Sequence, residues 1–146
     1  MANFKIRKGF NVKVLGKPRA VVEEYANQQL FAVYPSEFEG LKPRLKVKAG
    51  DTVKRGDVLF ENKKNEKMLF RSPCGGTVKA VNLGARRFPV EILVEKSAGE
   101  ESVVFATYTR DTVGQLSREQ VVAHLLNAGL WPLVKQRPFN KMADPE

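Results

Sequence analysis

The sequence has 146 residues, of which 42% are hydrophobic and 28% charged, with a formal net charge of +9. It contains no apolar run of about 20 residues, which excludes a membrane-spanning helix, and its single cysteine excludes an internal disulfide. The positive charges at the start are not followed by an apolar stretch, which excludes a secretory signal. We therefore expect a soluble, cytoplasmic chain with one core, or one domain and part of another.

The first third of the chain carries the signals of short strands. Apolar residues at even positions alternate with polar ones, which predicts a strand containing Ile6, Phe10, Val12 and Val14. A glycine and a proline at positions 16 and 18 then supply a turn. Two further strands are predicted, one at Val21 and Val22 and one over residues 30–34, where Pro35 ends the second.

The central part contains the clearest alternation of strands and tight turns. Leu45 and Val47 alternate with Lys46 and Lys48, which predicts a strand with one buried face and one charged face. Further elements are predicted in the following ranges: a buried strand over 58–60, strands over 68–70, 77–81 and 90–95, turns over 49–51, 54–57 and 73–76, a polar tip over 61–67 and a loop over 82–89. Many short strands joined by glycine turns predict a compact all-β sandwich or barrel.

The tail changes to a helical period. Ser117 and Gln120 have the spacing of a capping box, and Gly129 stands where a helix would end. Between them the apolar residues recur at helical spacing: Val121, Val122, Leu125 and Leu126. Residues 130–134 predict the start of a second short helix, which Pro138 interrupts. The tail therefore predicts the opening of a second domain.

The positive charge is concentrated in the middle of the chain. Residues 42–87 contain thirteen Lys and Arg against four Asp and Glu, whereas the remaining residues contain twelve of each sign. Such a block favours an acidic protein partner, an anionic membrane face or nucleic acid, or it is a solvated surface without a partner. We identify a candidate docking surface at four of its cations: Lys46, Lys48, Lys54 and Arg55.

No residue stands out as catalytic or metal-binding. Cys74 has no neighbouring histidine to activate it, and His124 has no companions at metal-ligand spacing. The glycine-rich fingerprint of a dinucleotide site, G-x-G-x-x-G, is absent. Trp131 and Phe139 are predicted to pack at a domain junction or, alternatively, to contact the head group of a quinone. We therefore predict no catalytic residue and no metal ligand in this chain.

Two motifs resemble biotinyl/lipoyl-type domains. One has the form V-x-x-G-D-x-V-x-x-G-x-x-L, here at Val47, Gly50, Asp51, Val53, Gly56 and Leu59. The other is the segment 72–78, which resembles A-P-x-x-G-x-V. Together with the segments 6–9, 60–65, 116–122, 129–131 and 137–139, in this order, they are similar to the A subunits of bacterial Na+-translocating NADH:quinone oxidoreductases.

The resemblance implies a mainly β (α+β) fold in two parts. Residues 1–100 would form a biotinyl/lipoyl-like barrel-sandwich hybrid of short strands. Residues 101–146 would form a linker and the start of a Rossmann-like domain, with one or two helices. We take this fold class and these boundaries as the expectation.

The resemblance also implies a function and a location. Members of this family are peripheral subunits on the cytoplasmic side of the bacterial inner membrane. They belong to a complex that couples NADH oxidation and ubiquinone reduction to Na+ export. The flavins and the iron–sulfur centre would lie on other subunits, with no cofactor in this chain. Its partners would be the other subunits, with the anionic membrane face and ubiquinone as further candidates.

Two other functions remain as alternatives. A carrier domain would bear biotin or a lipoyl group on a lysine at a hairpin tip, and Glu61-Asn62-Lys63-Lys64 supplies the E-x-x-K setting of such carriers. However, the segment from Lys64 to Pro73 is one residue longer than in biotin carriers. A small nucleic-acid-binding β barrel would suit the basic block, but the aromatic platform expected of single-strand binders is missing. We therefore expect no nucleic-acid partner.

Overall fold

The computed structural model describes residues 9, 13–24 and 27–145. The first seven strands are β1 (Leu30–Val33), β2 (Pro43–Leu45), β3 (Thr52–Val53), β4 (Val58–Asn62), β5 (Asn65–Arg71), β6 (Gly76–Leu83) and β7 (Pro89–Lys96). The later elements are α1 (Arg110–Val113), α2 (Arg118–Asn127), β8 (Lys135–Gln136) and β9 (Lys141–Met142). Three 3-10 turns complete the described part: Pro35–Glu37, Ala85–Arg87 and Trp131–Leu133. The predicted mainly β fold followed by helix is confirmed.

The strands form two antiparallel sheets and a small hairpin. One sheet has the order β1-β7-β6-β3, and the other has the order β2-β4-β5. β8 and β9 pair separately, near the end of the chain. Every pair of named strands is antiparallel. An isolated parallel bridge joins Arg55 to Ser102 and adds the segment after β7 to the turn before β4.

The core contains side chains from both sheets. Leu59 and Phe60 come from β4, whereas Val78, Ile92 and Val94 come from β6 and β7, and all five are completely buried. The alternation along β7 places Ile92 and Val94 on the same face, as a period of two requires. Further rings extend this core, since Phe70 stacks on Phe60 and meets Phe38 edge-on. The apolar alternation of the sequence therefore produces one continuous core.

Two tight turns explain why the motif repeats the pair Gly-Asp. Gly50 and Gly56 have φ angles of 92° and 89°, in the left-handed region that side chains disfavour. In the first turn the carboxylate of Asp51 accepts a hydrogen bond of 2.9 Å from the N–H of residue 48. In the second, Asp57 accepts one of 2.7 Å from the N–H of residue 54. The glycine permits each turn, and the aspartate satisfies a backbone donor inside it.

Several predicted boundaries need correction. Val21 and Val22 are not in a strand and are exposed, and the predicted strand at 30–34 ends at Val33. Val14 also lies outside any strand, whereas Ile6, Phe10 and Val12 fall outside the described residues. The strand predicted from Leu45 onward ends there, because the chain turns after it; nevertheless Val47 is half-buried and both neighbouring lysines are exposed.

The hairpins are longer and their tips shorter than predicted. β4 continues through Glu61 and Asn62, both of which are buried, so the supposed polar tip is reduced to two turn residues, Lys63 and Lys64. Likewise β6 extends to Leu83, which shortens the loop before β7. The prediction was wrong because it took polar residues as exposed. The polar groups of Glu61 and Asn62 are instead hydrogen-bonded within the protein.

The start of α2 agrees with its prediction. The Ser117 hydroxyl accepts a hydrogen bond from the N–H of Gln120, and the Gln120 side chain accepts one of 2.8 Å from the N–H of Ser117. Gly129 follows the end of the helix with a left-handed φ of 71°. The predicted second helix is a 3-10 turn at Trp131–Leu133. α1 was not predicted, because it is a single turn capped by Thr109.

At Gly76, where β6 begins, the backbone of β7 leaves no room for a side chain. A Cβ atom at this position would lie 1.9 Å from the carbonyl oxygen of Glu95 on β7. We therefore expect Gly76→Ala to lower the free energy of unfolding by about 3 kcal/mol, because the two paired strands must separate. Urea denaturation measures the loss. Gly99→Ala is the matched control, since its Cβ meets nothing within 4 Å, and an equal loss in both variants would contradict the explanation.

Candidate docking surface and the Arg71 joint

The four cations of the candidate docking surface lie on turns at the sheet ends. Lys46 and Lys48 follow β2, and Lys54 and Arg55 lie between β3 and β4. All four are exposed. Of these four, however, Lys48 alone forms no ion pair with a described residue, because the other three are bound to carboxylates of the same chain. The surface is therefore less open to a partner than its charge indicates.

Lys46 neutralises a carboxylate inside the second sheet. Glu61 on β4 is buried, and its side chain contacts Lys46 Nζ at 2.9 Å and Arg44 Nε at 2.6 Å. Hydrogen bonds from Lys46 and then from Arg44 lower the pKa of Glu61 against the opposing effect of burial. A buried carboxylate without these partners would be strongly destabilising. Lys46 and Arg44 thus allow a charged residue within a buried strand.

Arg55 binds a second carboxylate, on the segment that follows β7. Glu100 accepts a hydrogen bond of 2.8 Å from Arg55 Nε and one of 3.0 Å from the backbone N–H of Gly75, and Lys96 lies 3.6 Å away. The Glu100 side chain is only 12% exposed. The hydrogen bonds from Arg55 and Gly75 lower the pKa of Glu100 to about 2. This carboxylate therefore stays ionised in the folded protein at any physiological pH.

Backbone hydrogen bonds reinforce the Glu100 contact. The N–H of Arg55 donates to the carbonyl of Glu101 at 2.8 Å, and the N–H of Val103 donates to the carbonyl of Arg55 at 2.8 Å. Lys54 Nζ also lies 2.7 Å from the Glu101 carboxylate. The segment 100–103 is consequently fixed beside the turn between β3 and β4, and two of the candidate docking cations hold it there.

Arg71, at the end of β5, connects four parts of the chain, and we call this group the Arg71 joint. Its guanidinium donates to the carbonyl oxygens of Gly56 and Asn127, at 2.5 Å and 2.6 Å, and to the Asn127 side chain at 3.2 Å. It also lies over the ring of Phe105, 4.9 Å from the centroid. A cation at the last residue of α2 is favoured by the helix dipole. The joint therefore attaches α2 and the segment before it to the sheets.

A cavity of about 500 Å³ lies beside this joint, between β5 and α2. Its apolar walls come from Leu69 on β5 and from Val122, Ala123 and Leu126 on α2. Arg118 and Glu119, at the start of the helix, supply charge at its edge. Lys67, Asn127 and Pro145 complete the lining, so the cavity combines an apolar wall with several polar groups and has the size of a small-molecule site.

The remaining candidate side chains have structural surroundings. Burial raises the pKa of the Cys74 thiol, with a smaller contribution from Glu100 in the same direction, which makes it a weak nucleophile. His124 hydrogen-bonds to the Tyr108 hydroxyl. Trp131 is buried and donates its indole N–H to the carbonyl of residue 143 at 2.9 Å, whereas Phe139 is exposed. Trp131 is therefore a packing residue, and its place at a domain junction stays a prediction.

The comparisons with known proteins agree with this architecture. Residues 4–97 match the family described as the NqrA N-terminal barrel-sandwich hybrid domain. The chain belongs to this family. Residues 116–146 also match the family described as the NqrA second alpha/beta domain. The resemblance to the A subunits and the barrel-sandwich hybrid fold are thereby confirmed.

Individual relatives are similar over most of this chain. The A subunit of the Na(+)-translocating NADH-quinone reductase of Haemophilus influenzae (strain PittEE) is 37% identical over 141 residues, covering 97% of the chain. The corresponding proteins of Histophilus somni (strain 2336) and Alcanivorax borkumensis are 39% and 37% identical, covering 94% and 97%. The chain spans only 30% to 32% of the length of these three relatives. Within the residues that the structure describes, each helix is too short or too polar to cross a bilayer.

Sequence reasoning missed the residues that organise these contacts. Arg71 was not singled out, although a charged residue directly after a predicted buried strand is a signal that it has partners. Glu61 was assigned to an exposed tip, and Glu100 to no role. Except for Lys96, which is four residues from Glu100, their partners lie 15 to 56 residues away along the chain, so local patterns do not reveal them.

Replacing Arg71 tests the joint. We expect Arg71→Ala to lower the free energy of unfolding by about 2 to 3 kcal/mol, because the carbonyls of Gly56 and Asn127 lose a charged donor. Hydrogen exchange at α2 should accelerate while amides of β6 and β7 stay protected. Lys67→Ala is the matched control, since this exposed cation on the same strand has no ion pair among the described residues. Uniform acceleration throughout the chain would mean that Arg71 supports the whole fold and not the joint.

The low pKa of Glu100 predicts a pH dependence of stability. A carboxyl whose pKa falls from 4.5 to about 2 on folding contributes stability that is complete above about pH 4.5. That contribution is lost as the pH falls toward 2. Glu100→Gln should therefore be less stable than wild type at pH 7 and approach it near pH 2, in denaturation curves measured across this range. Glu39→Gln, at an exposed carboxyl, controls for charge, and a difference independent of pH would contradict the assignment.

Proposed function

We propose that this chain is part of a peripheral subunit of a membrane complex that couples NADH oxidation and ubiquinone reduction to Na+ export. The observation that carries the proposal is similarity over 97% of the chain to proteins named as the A subunit of such a reductase. The matched ranges include the barrel-sandwich part and the segment after it. The complex performs the redox chemistry, and this part supports its assembly on the cytoplasmic side of the inner membrane.

We also propose the division of the chain into two parts, residues 1–100 and residues 101–146. The first would be the β domain, and the second a linker and the start of a Rossmann-like domain. Glu100 lies at this boundary, and the bridge at Ser102 continues the attachment to the sheets a few residues into the second part. The Arg71 joint would then fix the orientation of the second part.

Docking on the membrane subunits is the proposed role of the basic surface. Lys48 is the strongest contributor, because it is exposed and no described residue forms an ion pair with it. Lys46, Lys54 and Arg55 keep charge on the surface while they hold internal carboxylates. Flavins and the iron–sulfur centre would lie on the other subunits, with no catalytic residue and no metal ligand in this chain.

Ubiquinone contact is proposed at the cavity between β5 and α2. Its apolar walls and its volume of about 500 Å³ suit the ring and first isoprenoid unit of a quinone. Trp131 does not suit this role, because its ring is buried in packing. Phe139 is exposed, but it lies on the hairpin after the 3-10 turn and does not line the cavity.

The two alternative functions are not favoured. The lysine pair of the E-x-x-K setting does occupy the turn between β4 and β5, as a carrier lysine would. However, the relatives are named as reductase subunits and not as carriers. Several cations of the basic block form ion pairs with carboxylates of the same chain, which reduces the charge available to nucleic acid. This also weakens the argument for a nucleic-acid-binding barrel.

Co-purification tests the proposal. The full-length protein that contains this sequence would be tagged in its own host, and the membranes would be solubilised gently. We expect a yellow complex that oxidises NADH and reduces quinone faster with Na+. When a photoreactive ubiquinone analogue is added to this complex, we expect it to label β5 or α2. Recovery of the protein alone, or with a biotin or lipoyl mass on Lys63 or Lys64, would reject the proposal.

Charge variants of the same full-length protein test the docking role. The first variant has alanine at Lys46, Lys48, Lys54 and Arg55. It should reduce the recovery of membrane subunits several-fold, because the surface loses its positive charge. Lys48→Glu should reduce recovery without breaking an internal ion pair, which separates docking from folding. Lys17→Glu, an exposed lysine outside the basic block, is the matched control. Unchanged recovery with the alanine variant and with Lys48→Glu would show that docking uses another surface.

A further inference from the structure

A second cluster of cations surrounds a cavity that the docking surface does not include. The cavity has a volume of about 320 Å³ and lies where the loop before β2, the turn between β4 and β5 and the loop between β6 and β7 meet. Four cations line it: Lys42, Lys63, Arg86 and Arg87. The other lining residues are apolar: Leu41, Pro43, Ala85, Phe88 and Pro89. We call it the cationic cavity.

The cationic cavity is built into the fold. The N–H of Lys63 donates to the carbonyl of Lys42 at 2.8 Å, which holds the β4–β5 turn beside the start of β2. On the other sheet, the N–H of Gly84 donates to the carbonyl of Phe88 at 2.8 Å and closes the loop that carries the two arginines. Each sheet therefore contributes two cations through a hydrogen-bonded loop.

The positive charge of the cavity is not balanced by the described residues. None of the four cations forms an ion pair with a described residue. No carboxylate of a described residue lines the cavity. This contrasts with the nearby Arg44 and Lys46, whose charges are taken up by Glu61 and Glu66. Like charges around one concavity repel one another, and they attract an anion from solution.

The loop between β6 and β7 presents its arginines through an uncommon backbone. Arg86 and Arg87 are consecutive residues with left-handed φ angles of 54° and 57°. Residues other than glycine rarely adopt this conformation, and such residues cluster at ligand-binding positions. Both side chains are exposed and line the cavity, so the loop conformation places two planar donors at its wall.

From these observations we propose that the cationic cavity binds a phosphate group. Arginine presents paired N–H donors that match the oxygens of phosphate, and lysine adds point charge. A phosphate offers more charge and more acceptor oxygens than a carboxylate in the same volume, which suits four converging cations. The apolar lining residues, Pro43 and Phe88 among them, would contact the organic part attached to the phosphate.

Two sources can supply this chemistry: the head group of an anionic phospholipid and a soluble phosphate ester. The proposal does not depend on the proposed function, because it rests on the lining residues alone. Its test therefore uses the purified full-length protein and none of the other subunits. Its failure would leave the co-purification result unchanged, and the reverse also holds.

The first arm of the test is calorimetric titration with inorganic pyrophosphate, and the second is flotation with phosphatidylglycerol vesicles against phosphatidylcholine vesicles. The variant is Arg86→Gln with Arg87→Gln, and the matched control is Lys13→Gln with Lys17→Gln, which removes two exposed charges elsewhere. We expect the arginine variant to bind at least about tenfold more weakly in one or both arms, because two charge-assisted contacts are lost. The control should bind like wild type.

Each outcome is decisive. Loss in the pyrophosphate arm assigns the cavity to soluble phosphate esters, and loss in the vesicle arm alone assigns it to phospholipid head groups. Equal binding by the arginine variant and wild type in both arms would overturn the proposal. The same holds if the control variant loses as much affinity as the arginine variant. An oligoglutamate peptide serves as a further probe. If wild type binds this peptide but neither phosphate source, and the arginine variant loses the binding of the peptide, the proposal is overturned in favour of an acidic protein segment. Circular dichroism of each variant verifies that it is folded.

Discussion

The guanidinium group of Arg71 is the contact on which the relation between the sheets and the helical tail depends. It is the only side chain of the described residues for which hydrogen bonds join the turn at Gly56 to the end of α2. Burial lowers the pKa of Arg71, but an arginine remains charged in proteins, so its energy depends on the carbonyls that surround it. Gly129 lets the chain leave α2 there, because a Cβ atom would lie 3.1 Å from Arg71.

The basic block has three different uses, which its net charge conceals. Some of its cations neutralise carboxylates that the fold buries, as Arg44 and Lys46 do for Glu61. Arg55 fixes the segment after β7 through Glu100. Lys54 and Lys79 pair with Glu101 and Glu95, whereas Lys48 and the four cations of the cationic cavity form no ion pair with a described residue. The positive charge that a partner can use therefore depends on which cations are already paired within the fold. Counting charges along the sequence overestimates it.

Local patterns predicted the elements well and the contacts between them poorly. The period of two, the glycine turns and the Ser117 capping box are each decided within a few residues, and they predicted most of the central strands and the helix. Glu61 was misplaced because polarity was taken as exposure, although a paired carboxylate can lie inside a sheet. Arg71 and Asn127 are 56 residues apart, so only the folded chain brings them together.

The burial of Trp131 gives this chain an intrinsic optical reporter. Trp131 is the single tryptophan of the sequence, it is 9% exposed, and its indole N–H is hydrogen-bonded to the carbonyl of residue 143. It packs beside β5 and the β8–β9 hairpin, whereas the four-stranded sheet contains no tryptophan. Emission from its indole will therefore shift to longer wavelength when the tail separates from the sheets, and strands β6 and β7 contribute no signal of their own. Attachment of the tail can thus be followed in this sequence without a label.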